Sequence, residues 1–299
     1  MKKLFLMSVV LLMAVMAQAQ IKVSPKMQKG DVKTYVEKAT IDIPGQATLN
    51  VESESVYKVV DATADGFVVS MATTKVENDA AADNIIGRLM ALSSQVLSGQ
   101  TLTVVTDKEG KPLQLKNYDE VKKNVEQLAS KFVDELMEQV PQMKDMMSKE
   151  TIMQQVMDGV TEESLLASMQ RSTGIFALNG KTISMGAQDE YTNEQGMTMK
   201  RMYLVSGNNK ITTTANLDSS PETMKKTIIA QVEKMAPDQA EMIKQNIDAV
   251  IASGMIKLES TEKTIYELAA DGWVKSIDME STTGSMGQNV KTKVTINQK

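Results

Sequence analysis

A chain of 299 residues with 33 basic and 38 acidic side chains, and with neither cysteine nor histidine, excludes several chemistries at once. Without Cys or His there can be no thiol catalysis, no Ser-His-Asp triad, no conventional zinc site and no disulfide. The acidic balance disfavours nucleic acid, which demands a basic face, and it disfavours tight electrostatic docking on anionic lipid.

The chain opens with Lys2 and Lys3, an apolar run Leu4–Met16, and the small-residue stretch Ala17-Gln18-Ala19. This is the pattern of a cleaved signal peptide and is too short for a membrane anchor. It predicts export to the periplasm, cleavage after Ala19 and one domain over residues 20–299, with no later transmembrane segment. Loss of Lys2 and Lys3 leaves 31 basic against 38 acidic residues, a surplus that serves solubility.

From Asp31 the sequence predicts long strands. VKTYVEKATIDI runs to the Pro44-Gly45 turn, and ATLNVESESVYKVV places Leu49, Val51, Tyr57 and Val59 on one face by alternation. Asp65-Gly66 then predicts a hairpin, because Asp-Gly between strand-like runs suits a tight turn. Ile85, Ile86, Leu89, Leu92, Val96 and Leu97 predict an amphipathic helix. Leu102–Asn117 predicts a second hairpin turning at Lys108-Glu109-Gly110. Asn117 and Glu120 have capping-box spacing before a helix carrying Val121, Val125, Leu128, Phe132 and Leu136. A second helix places Met143, Met146, Met147, Met153, Val156 and Met157 on one side, and a short one follows from Thr161.

In the second half GIFALNGKTISMGAQDEY, MTMKRMYLVSG and KITTTANL predict further strands. Ser220-Pro221-Glu222 predicts a helix start, with Pro237 dividing a helical pair that ends near Ser253. The phrase ADG recurs at 270–272, so two distant hairpins share one turn chemistry. In the closing strand Val290, Thr292, Val294 and Ile296 face one way and Lys291, Lys293, Thr295 and Asn297 the other, as in an antiparallel sheet with one buried face. The order of elements echoes loosely between about 25–175 and 176–299.

The strand phrases YKVVDATADGFVVS, LTVVTDKEGKPLQL, EYTNEQGMTMKRMYLVSG and YELAADGWVKSIDMESTTGSMGQNVKTKVTI resemble a family of exported Gram-negative bacterial proteins of unknown function, many of them lipoproteins. The resemblance covers most of residues 25–299 and brings no catalytic residues. This chain departs from it in lacking a lipidation cysteine and in carrying the helical pair near Ser220–Ser253. At the level of fold alone, long antiparallel strands with amphipathic helices are similar to the half-barrel carriers of lipoprotein sorting, which implies an apolar hollow for acyl chains.

Twenty of the 24 methionines lie after Ala19. Core filling accounts for them at helical spacing, and flexible thioethers also suit an adaptable apolar binding surface. Copper(I) ligation through Met197, Met199 and Met202, or through Met143, Met146 and Met147, is disfavoured, since no histidine or cysteine assists and alternation turns Met202 away from Met197 and Met199. The combined expectation is an α+β fold: a large curved antiparallel sheet, half-barrel-like, with amphipathic helices on its concave face. It would bind a lipid or another hydrophobic ligand without catalysis or cofactor, lined by Met143, Met146, Met147, Met153, Met157 and Trp273. The alternative is a cell-envelope protein that docks a protein partner and no small molecule.

Overall fold

Alternating sequence becomes extended chain almost throughout the molecule. The computed structural model describes residues 20–79, 98–139, 148–193, 196–207, 209–235, 237–252, 258–285 and 288–299. The expected signal segment 1–19, the amphipathic segment Ile85–Leu97 and Met143, Met146 and Met147 lie outside these residues.

In chain order the strands are β1 (Gln20–Lys22), β2 (Val32–Asp42), β3 (Leu49–Ala62), β4 (Gly66–Asn78), β5 (Thr101–Asp107), β6 (Pro112–Leu115), β7 (Thr182–Ser184), β8 (Gln188–Thr192), β9 (Thr198–Ser206), β10 (Lys210–Leu217), β11 (Leu258–Leu268), β12 (Val274–Ser285) and β13 (Gln288–Gln298). β1 and β7 pair separately. The rest form one antiparallel sheet in the order β6-β5-β4-β3-β2-β13-β12-β11-β10-β9-β8. Two meanders thus run outwards from the central β2–β13 pair, one from each half of the chain, and the sheet does not close. It is strongly curled nonetheless. Val51 on β3 and Tyr191 on β8 are seven strands apart, roughly 34 Å on a flat sheet, yet both line the same hollow.

The helices are α1 (Tyr118–Gln139), α2 (Lys149–Asp158), α3 (Glu162–Met169), α4 (Pro221–Met235) and α5 (Pro237–Ala252). Val121, Val125 and Ala129 of α1 and Leu165 and Met169 of α3 join the core formed by the inward face of the sheet. Val133 and Met137 of α1 close a smaller cluster with Ile152 of α2. Ser148 and Thr161 cap α2 and α3 by accepting from the amides of Thr151 and Ser164. Asn117 does something other than the capping that its spacing predicts. Its side chain accepts from the Thr103 amide at 2.8 Å and donates to the Thr101 carbonyl at 2.7 Å, tying the entry of α1 to β5. The helical pair α4–α5 packs on itself. None of the described helices is long and apolar enough to cross a membrane.

The twin Asp-Gly phrases are two turns, as alternation predicts, but their glycines serve different ends. Gly272 has φ +82, the left-handed region that an L side chain rarely adopts. Gly66 is required by proximity, because a Cβ there would lie 2.0 Å from the Thr106 carbonyl oxygen of β5. One expectation is overturned. GIFALNG (174–180) is not a strand; it is a run of turns that inserts Ile175, Phe176, Ala177, Leu178 and Asn179 into the core. It is anchored by Asn179 donating to the Gly110 carbonyl at 3.0 Å and by the Gly180 amide donating to the Val23 carbonyl at 2.9 Å. Its continuous apolar run reads like a buried strand, but its residues pack among the core side chains and form no ladder.

Candidate functional site

The two ends of the sheet are built differently. At one end, short turns join β3 to β4, β5 to β6, β9 to β10 and β11 to β12. Here the inward positions are large: Tyr35, Tyr57, Val205, Ile211, Tyr266, Ile277 and Ile296 are all buried, and Phe176 of the inserted turn meets the Tyr57 ring at 5.8 Å. The Tyr35 hydroxyl donates to the Val274 carbonyl and the Tyr266 hydroxyl to the Ser172 carbonyl, each at 2.7 Å, so both buried phenols are paired. Burial pushes both phenols up. This end is solid.

At the other end lie the long connections, residues 79–100 between β4 and β5 and 218–257 between β10 and β11. Along the same strands the inward side chains shrink and become polar. On β12 the inward series runs Ile277, Met279, Ser281, Thr283; on β11 it runs Tyr266, Thr264, Glu262, Ser260. The result is a hollow of about 580 Å³ on the inward face. Ala39, Ile41, Val51, Met279, Val290 and Val294 supply its apolar floor, and the turn Arg171-Ser172-Thr173 with Tyr191 and Asn193 forms the opposite wall.

Behind that wall sits a charged cluster. Arg201, 4% exposed, donates to both Asp189 oxygens at 2.8 and 2.7 Å; Tyr203 adds a 2.7 Å bond and Lys181 one at 3.2 Å. The guanidinium also lies over the rings of Tyr191 and Tyr203, at 4.6 and 5.0 Å from their centroids. Burial raises the Asp189 carboxyl, but the hydrogen bonds from Arg201 and Tyr203 and the charges of Arg201 and Lys181 outweigh it and hold the group at about 2. Burial lowers Lys181, with the Arg201 charge acting in the same direction. Tyr191 is pushed up by burial and then by the Glu262 charge; its hydroxyl is walled off from solvent beside Glu262 and Ser172 without completing a well-aligned hydrogen bond. Two cations share the one carboxylate, so the cluster keeps a net positive charge while it fixes the wall of the hollow.

Of the residues singled out from the sequence as ligand-lining, Met143, Met146 and Met147 lie outside the described residues, and the other three are not among those that line the hollow. Met153 and Met157 are half-buried on α2 against the core, and Trp273 is buried at the solid end, its indole nitrogen without an acceptor. Met197 and Met199 point inwards and are buried, while Met202 is exposed on the opposite face, as alternation predicts. The lining of the hollow was missed, although one signal for it was available: the change from Ile, Val and Tyr to Ser and Thr at inward positions of β11 and β12.

The fold and site define an open, curled antiparallel sheet that encloses a core at one end and a hollow at the other. No family profile matches the chain, and no curated protein matches it. Among solved structures, it is similar to lipovitellin in a study of its lipid–protein interactions, at 10% identity and TM-score 0.39, covering 91% of this chain and 25% of that one. It thus spans about a quarter of the lipovitellin chain. DynF from the dynemicin pathway of Micromonospora chersina is similar at 8% identity and TM-score 0.18, over 93% of this chain and 83% of that one. A porin-like protein from Bacteroides uniformis is similar at 9% identity and TM-score 0.19, over 92% and 99% of the two chains. At such TM-scores none of them bears on fold or ligand.

Proposed function

We propose that this chain is an exported, non-catalytic binding protein that holds one small hydrophobic or amphipathic molecule on the inward face of its sheet. The observation that carries this reading is the hollow itself: about 580 Å³ with an apolar floor and a polar wall. Pockets of that size accommodate one small ligand, and a mostly apolar lining with a few placed polar groups is their common form. The solid end supplies the rigidity such a site needs. Extraction of the purified protein followed by mass spectrometry is expected to release a co-purifying amphiphile. A protein that yields none and also fails to bind an environment-sensitive dye overturns the reading.

Export rests on the chemistry of residues 1–19. Gln20 opens β1 and pairs with Ser184, so cleavage after Ala19 would leave the β1–β7 ladder whole. Intact-mass measurement of protein recovered from the periplasm is expected to show a chain beginning at Gln20. Full-length protein confined to the cytoplasm would contradict it.

A further inference from the structure

The register of the sheet draws an apolar strip across the floor of the hollow. Val51 on β3, Ala39 on β2, Val294 on β13 and Met279 on β12 are successive cross-strand partners, and all of them line the hollow. Towards the open end the strip is bordered by Ile41, Thr292 and Ser281. On its deep side it is bordered by Glu37, Ile296 and Ile277, where the solid end begins. At β11 the strip stops, because the next partner, Thr264, is fully buried. At the other end Val51 pairs with Asn78, the last residue of β4.

The strip therefore has a definite length. From β3 to β12 there are three strand spacings, which place its outermost residues roughly 14 Å apart. A fully extended saturated chain advances about 1.25 Å per carbon, the projection of a carbon–carbon bond at its tetrahedral angle, so roughly eleven carbons span the strip. The volume agrees. At roughly 30 Å³ for each water-sized group, a hollow of about 580 Å³ holds about nineteen non-hydrogen atoms. That is room for one such chain and a small polar group, and too little for a second chain of equal length.

We infer that the ligand is a single-chain amphiphile selected by length, its chain of about ten to twelve carbons lying across β3, β2, β13 and β12 on the strip from Val51 to Met279. This rests on the hollow being a binding site. Linear alcohols from hexanol to tetradecanol, which carry no charge, test it by displacing an environment-sensitive dye from the purified protein below their solubility limits. Affinity is expected to rise about fourfold per methylene up to about eleven carbons, as each added group leaves water, and to change less than about twofold per added pair beyond that. Val51→Phe shortens the strip by about one strand spacing and is expected to move the break down by about four carbons. Dioctanoylglycerol is expected to bind no more tightly than monooctanoylglycerol. A steady climb through tetradecanol, an unmoved break in Val51→Phe, a large gain from the second chain, or bound dye that no alcohol displaces overturns the length selection and leaves the binding site standing. Failure of every alcohol and of the dye to bind overturns both.

Discussion

The two ends of the curled sheet share strands, curvature and hydrogen-bonding pattern and differ in what faces inwards. β13 shows this within a few residues: Ile296 lies in the solid core, while Thr292 lines the hollow. At the solid end, aromatic and branched aliphatic side chains and the inserted turn 174–180 fill the curl. At the open end Ser, Thr, Ala and Val stand beside Ile41, Met279 and Glu262, and no equivalent insertion fills the space among the described residues. Curling a sheet makes a volume; side-chain size then decides whether that volume becomes core or site.

Substitutions should separate the two ends by their cost. Phe176→Ala removes the ring wedged against Tyr57 and should destabilise by about 3–5 kcal/mol, whereas Val290→Ala in the hollow should cost about 1 kcal/mol or less. Urea denaturation midpoints compare them directly, and equal shifts would abolish the distinction. Next in size is Gly66→Ala, expected to cost about 3 kcal/mol because its Cβ meets the β5 backbone; Gly272→Ala, strained by its φ and by a tighter but not overlapping approach to the Ser24 carbonyl oxygen at 3.0 Å, should cost about 1–2 kcal/mol.

The wall between the ends depends on the Asp189–Arg201 pair. Asp189→Asn leaves a buried guanidinium poorly paired and should cost about 2–3 kcal/mol, below the range for a fully buried pair because Asp189 is one-third exposed. With its folded pKa at about 2, below the ordinary carboxylate value, Asp189 contributes stability that is present above pH ~4 and lost as pH falls towards 2. The acid limb of a stability–pH curve should therefore be shallower in the Asn variant. The smallest effect on stability is expected from Thr292→Trp, within about 1 kcal/mol, since the ring enters open space on a strand that tolerates aromatics. Ligand binding should nevertheless disappear.

Much of this architecture is legible in the sequence because period-two alternation and Asp-Gly turns are local signals. Val290, Thr292, Val294 and Ile296 show their common face without help from the rest of the chain. The site is not local. Whether Val51 and Tyr191 share a hollow depends on how eleven strands curl, which no window of sequence contains. GIFALNG misleads for the complementary reason: its four consecutive apolar residues read like a buried strand, while their burial is decided by a cavity that distant strands create. The methionine stripe drew attention to α2 because helical periodicity is conspicuous, whereas the gradual replacement of Ile and Tyr by Ser and Thr along β11 and β12 only acquires meaning once the strands are aligned.

The absence of cysteine from the chain permits the most direct test of a face packed at one end and open at the other. A single thiol introduced as Thr292→Cys or as Ile296→Cys places a reporter at two points of one strand, on one face. In the folded protein the Thr292→Cys thiol should react with a small thiol reagent at a rate near that of an exposed peptide thiol, and slow when an environment-sensitive hydrophobic dye is bound. The Ile296→Cys thiol should react only through unfolding. Equal protection of both, in the absence of ligand, would mean that the hollow is closed to the outside and would contradict the account.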